Sequence, residues 1–169
     1  MAPVLVTYAT RTGSTEEVAR AVGETLRHDG LAVEVMPVKD VHSLGRSEAV
    51  VLCVPLYIGR LHKDARQFLS ANREALMKVP VALFVLGPVQ NVENDWKGAQ
   101  QQLEKELAKF PWLSPVAKHV VGGKFDPAKL GFPFNFVMKK MPVRDVRDWN
   151  AIRDLANGLA ATLQPGLQR

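Results

Sequence analysis

The sequence predicts a doubly wound α/β fold: a five-stranded parallel sheet, ordered 2-1-3-4-5, with helices on both faces. Three observations carry that expectation. Strand-like and helix-like patterns alternate along all 169 residues. The first and third strand runs, Val4 to Tyr8 and Ala49 to Val54, are largely apolar and rich in β-branched residues, as strands covered on both faces are. Glycine, proline and Asp-Gly punctuate the runs without any long linker, so one domain over residues 1–169 is expected.

Each element has its own warrant. Val4 to Tyr8 is a short apolar strand. Ser14 to His28 reads as a helix, because Val18, Ala21, Val22 and Leu26 recur at helical spacing and Asp29-Gly30 stops the pattern. Leu31 to Val38 is a second strand around Val33 and Val35, and Ala49 to Val54 is a third, ended by Pro55. His62 to Leu76 reads as one helix with Ala65, Phe68, Leu69 and Leu76 on a single face. Val81 to Leu86 is a fourth strand, closed by Gly87-Pro88. Asp95 to Phe110 follows as a helix through Ala99, Leu103, Leu107 and Phe110. Val116 to Val121 is the fifth strand, closed by Gly122-Gly123, and the last helix runs from Trp149 to Leu163.

Composition narrows the function. Hydrophobic residues make up 47%, enough for a large core. The single cysteine, Cys53, sits inside a buried run and reads as a core residue; it permits no internal disulfide. His28, His42, His62 and His119 lack metal-ligand spacing, so no metal is expected. No signal-peptide pattern or membrane-spanning run is present, which points to a cytoplasmic protein. The net charge of +5 suits an acidic protein partner, an anionic membrane surface or a carboxylate-bearing ligand. Nucleic acid is not expected, because aromatic and basic residues are not interleaved. Oligomeric state is not legible.

The loop after the first strand is Thr10-Arg11-Thr12-Gly13-Ser14-Thr15. It falls where a doubly wound sheet binds ligands, beyond the strand ends at the switch point. A helix start offers unpaired N–H groups and a partial positive charge, small hydroxyls add donors, and Gly13 allows close approach, so a phosphate fits. A plainer reading is a capping box, Ser14 capping the helix and Glu17 reaching back, but it leaves Thr10, Thr12 and Thr15 unexplained. GxxxxGK[ST] and GxGxxG are both absent. Arg60 lies one residue too far from Cys53 for a phosphatase loop, and Tyr8-Ala9-Thr10 lacks the acids of a receiver domain.

T-x-T-G-x-T after a first strand resembles the flavodoxin phosphate loop, with Thr10, Thr12, Gly13 and Thr15 matching and Ser14 compatible. The resemblance implies FMN as cofactor. Arg11 adds a charge where flavodoxins are usually neutral, and is expected to point into solvent. The resemblance places Pro55, Leu56, Tyr57, Ile58 and Gly59 against the isoalloxazine ring, with Tyr57 as a stacking platform. Gly59 would let a peptide rearrange as the flavin N5 gains a proton. Gly87, Pro88, Val89, Gln90 and Asn91 would offer backbone N–H groups to the pyrimidine edge. Trp96 reads better as a helix-start residue than as a flavin contact, and His62 as a surface residue at a helix start.

Tyr57 to Leu69, the apolar-basic segment Leu130 to Met141 and Arg147-Asp148-Trp149 resemble one branch of flavodoxin-like proteins. That branch includes menaquinone-dependent protoporphyrinogen dehydrogenase. The resemblance implies an FMN oxidoreductase with a quinone acceptor; the alternatives are an electron carrier between proteins and a binding module with a degenerate phosphate site. Lys124, Phe125, Lys139 and Lys140 are the candidate substrate contacts. Phe132, Phe134, Phe136, Val137, Met138 and Met141 form an apolar patch beside Lys139, Lys140, Arg144 and Arg147. It suits an anionic membrane or a porphyrinogen with propionates, and would place the protein peripherally at the inner membrane face. It also reads as a core-packing helix with a basic edge. Members that oxidise porphyrinogen carry a longer, arginine- and tyrosine-rich insertion after the fifth strand; here it is compact, with Lys124 and Lys129 as its early cations.

Overall fold

The computed structural model describes residues 2–167. Its central sheet joins β1 (Val4–Tyr8), β2 (Val33–Pro37), β3 (Ala49–Tyr57), β5 (Val81–Leu86) and β6 (Ala117–Val121) in the order β2-β1-β3-β5-β6, all parallel. This is the expected 2-1-3-4-5 order. A short β4 (Arg60–Leu61) folds back antiparallel on the end of β3.

Successive side chains of a strand point to opposite faces, and the core divides accordingly. Val4, Val6 and Tyr8 pack on one face with α1 (Ser14–His28) and α6 (Trp149–Leu167). Leu5 joins the opposite core with α2 (Lys63–Ala71) and α4 (Glu93–Leu107). Val18, Val22 and Leu26 of α1 are fully buried. Each such side chain is worth about 1.5–3 kcal/mol, so packing rather than intrinsic propensity holds the helix.

Several boundaries differ from the sequence reading. β2 is shorter than Leu31 to Val38, and α6 extends past Leu163. Pro55 does not end β3; it pairs in register with Leu86, and the strand runs on to Tyr57. The helix expected from His62 to Leu76 is two, α2 and α3 (Arg73–Leu76), broken at Asn72. There the Asn72 amide donates to the Phe68 carbonyl and the backbone leaves helical geometry.

Between β6 and α6 the chain makes a strap across the carboxyl edge of the sheet. It contains a two-stranded ribbon, β7 (Lys124–Phe125) with β8 (Arg144–Asp145), and a four-residue helix, α5 (Phe134–Val137). The core-packing reading of this segment does not hold: no residue of α5 is buried. The Arg147 side chain, 3% exposed, clasps the strap to α1. Its guanidinium donates to the Asp145 carboxylate, to Glu17 Oε2 (3.1 Å) and to the Ser14 carbonyl (3.2 Å).

Candidate functional site

The phosphate loop is built from its own short hydrogen bonds. Gly13 sits at φ 94°, a left-handed geometry that favours glycine, and its N–H donates to Thr10 Oγ1 at 2.8 Å. Gly13 is the N-cap of α1, with no side-chain capping bond, so the alternative capping box does not form. Glu17 binds Arg147 instead. Glu16 accepts from the Tyr8 hydroxyl (2.8 Å) and from Arg20 (3.0 Å), which hold its carboxyl below the usual range. Burial and the Glu16 bond in turn push Tyr8 up to about 12. Both acids in the first turn are therefore engaged away from the loop, and the positive end of α1 is left for an anion.

Thr15 is the clearest sign of one. It lines the cavity described below, is 1% exposed, and its hydroxyl has no hydrogen-bond partner. An orphaned buried hydroxyl costs about 1–3 kcal/mol, which a bound acceptor would recover.

The hairpin after β3 forms the next wall. Tyr57 and Arg60 pair across a two-residue turn with φ 50° at Ile58 and 72° at Gly59. Positive φ at both central positions defines a type I′ turn, which favours Asn-Gly. A β-branched residue is strained there, and this one is 85% exposed. Neither turn preference nor core packing explains Ile58, which stands on the wall of the cavity described below. Glu106, buried on α4, fixes the hairpin by accepting from the Leu61 N–H at 3.1 Å. Burial raises the Glu106 pKa, but bonds from Lys109 and Leu61 outweigh that and hold the carboxyl low. Arg11 does not point simply into solvent: its guanidinium lies 4.2 Å over the Tyr57 ring, joining the phosphate loop to the hairpin.

These walls enclose one cavity of about 1010 Å³ at the carboxyl edge of the sheet. That is the upper end of the size range of small-molecule sites. It gathers Arg11, Thr12, Ser14 and Thr15 from the first loop, and Pro55, Leu56, Tyr57 and Ile58 from the hairpin. Gly87, Val89, Lys124 and Phe125 complete the sequence-derived candidates on its wall. Thr10 and Gly13 shape the loop from behind, and Gly59 sits beneath the hairpin against Gln102. Pro88 is buried, its carbonyl accepting from Gly123 N–H. Gln90 and Asn91 lie off the lining, Asn91 accepting from Trp96 Nε1. Lys139 and Lys140 are exposed outside it.

The structure adds residues that motif reasoning missed. Arg60, Lys63 and Arg66 line the cavity beside His62, which caps α2 by accepting from the Asp64 N–H. From the strap come Leu130 and two residues of the apolar patch singled out in the sequence, Phe134 and Met138. Among the described residues, no carboxylate pairs with Arg11, Arg60, Lys63, Arg66 or Lys124. A cationic, hydroxyl-rich end and broad apolar walls fit the phosphate and the planar rings of FMN.

The comparisons with known proteins agree. Residues 5–145 match the family described as the flavodoxin domain. No curated protein matches the chain. A flavodoxin from the domain Archaea is similar at 14% identity and TM-score 0.60, covering 96% of this chain and 99% of that one. A cysteine-to-alanine mutant of flavodoxin from Pseudomonas aeruginosa is similar at 17% identity and TM-score 0.60, with the same coverage. Rubredoxin oxygen:oxidoreductase from Desulfovibrio gigas is similar at 16% identity and TM-score 0.61, the match covering 100% of this chain and 38% of that protein.

Proposed function

The chain belongs to the flavodoxin-domain family and its cofactor is FMN; from that premise we propose that it is an FMN oxidoreductase acting on a flat organic substrate. The single observation that carries the reading is the strap. It folds over the sheet edge so that Phe125, Leu130, Phe134 and Met138 face the same cavity as the phosphate loop and the hairpin. One wall holds a cofactor; the opposed apolar wall gives a second planar molecule something to stack on.

In this reading Thr12, Ser14, Thr15 and the first amides of α1 hold the phosphate, while Tyr57 and Ile58 cover the ring system. Bound FMN supplies the acceptor for a hydride, and a quinone of the menaquinone type carries the electron pair away. Arg60, Lys63, Arg66 and Lys124, which form no ion pair among the described residues, orient a substrate through its acidic groups. A porphyrinogen, apolar in its macrocycle and anionic at its propionates, meets these requirements. The strap's apolar wall also excludes water from the transfer path.

A second reading, an electron carrier, is favoured by the exposure of Tyr57 and Ile58 at the rim, where a docked protein would approach. Redox titration of the FMN-loaded protein separates the two. The enzyme reading expects one two-electron wave, together with oxidation of protoporphyrinogen by a menaquinone analogue above the rate with free FMN. Two resolved one-electron waves and no turnover would leave the carrier.

A further inference from the structure

The tip of the strap exposes apolar side chains that its own fold does not use. Phe132 is 85% exposed, Val137 71%, Phe136 65% and Val143 57%. Contiguous exposed apolar surface on a folded domain marks a contact site. Residues 127–144 also carry Lys129, Lys139, Lys140 and Arg144 and no acidic residue. Lys139 Nζ stands 4.6 Å over the Phe136 ring, so charge and ring are presented together.

We propose that this tip docks onto an anionic bilayer surface. Aromatic and aliphatic side chains enter the headgroup boundary while lysines reach the lipid phosphates. Two properties of the tip favour lipid over a protein. Four cations against the same four on another copy repel, which opposes self-association. The large side chains stand on a four-residue helix and its flanking turns, mostly exposed with Lys139 over the Phe136 ring, and a fluid interface receives such separate protrusions without a matching pocket. The attachment is peripheral, since among the described residues no helix is long and apolar enough to cross a membrane. Phe134 and Met138 line the cavity as well, so docking brings the cavity wall to the lipid in which a quinone dissolves. That last consequence rests on the FMN reading; the docking does not.

Flotation of the full chain with phosphatidylcholine vesicles, with and without phosphatidylglycerol, tests it without reference to flavin. The protein is expected to float with the anionic vesicles at low salt and to be released as salt rises. Lys139→Gln with Lys140→Gln should weaken binding ~30-fold, at about 1 kcal/mol per surface cation. Phe132→Ser, Phe136→Ser and Val137→Ser together should weaken it more than ~10-fold. These side chains are exposed, so both variants should keep the wild-type circular dichroism. Failure of the wild type to float at low salt would overturn the proposal, as would equal flotation of both variants. A dimer abolished by the serine variant, in place of vesicle binding, would assign the tip to a second copy.

Discussion

Thr15→Val is expected to make the cofactor-free protein more stable and its FMN complex weaker. Valine keeps the shape of threonine and removes the hydroxyl, which is buried and has no partner. Without a ligand that hydroxyl is a cost, so urea denaturation should show a gain of about 1 kcal/mol, the low end of the penalty for an orphaned polar group. In the proposed site, the same hydroxyl would donate to a phosphate oxygen of bound FMN. A hydrogen bond to a charged group contributes about 1.5–3 kcal/mol, so quenching of FMN fluorescence should report affinity lower by ~10–150-fold. A purely structural threonine would not move the two readings in opposite directions.

The second large effect is expected at Gly122→Ala. A Cβ at this position would collide with the Val146 carbonyl oxygen and lie 2.6 Å from its carbonyl carbon. Neither is the movable end of a side chain, so the backbone itself must shift. Val146 N–H also donates to the Gly123 carbonyl, which ties the return of the strap to the end of β6. Alanine should therefore cost about 1–3 kcal/mol by thermal or urea unfolding, the range for forced backbone shifts in packed sites. A loss below about 0.5 kcal/mol, the scale of an ordinary surface change, would mean that the strap is not held as described.

Much of the frame was legible because burial on both faces writes itself into a strand. Val81 to Leu86 needed only its unbroken apolar run, and Val4 to Tyr8 one interrupted by Thr7 alone. The loop after β1 was legible as part of a ligand site because its hydroxyls around one glycine outnumber what a helix cap needs, and it does line the cavity. What escaped had long-range causes. Pro55 ends an isolated strand but survives in β3, where register with Leu86 carries it. The plainer capping reading of Glu17 was local, whereas Arg147, 130 positions away, takes its carboxylate. The aromatic spacing around Phe134 resembled a core stripe, and only tertiary structure decides which way such a stripe faces. Lys63 and Arg66 look like the solvent side of an amphipathic helix until the hairpin and strap place a cavity before them.

The central claim is that the first turn of α1 and the hydroxyls around Gly13 hold the phosphate of one flavin nucleotide. Parallel fluorescence titrations of the flavin-free protein with FMN and with riboflavin, which differ by that phosphate alone, test it most directly. The account predicts that FMN binds at least ~100-fold more tightly, the contribution of one or two charge-assisted bonds. Equal affinities for the two flavins, or no quenching of either, would contradict it.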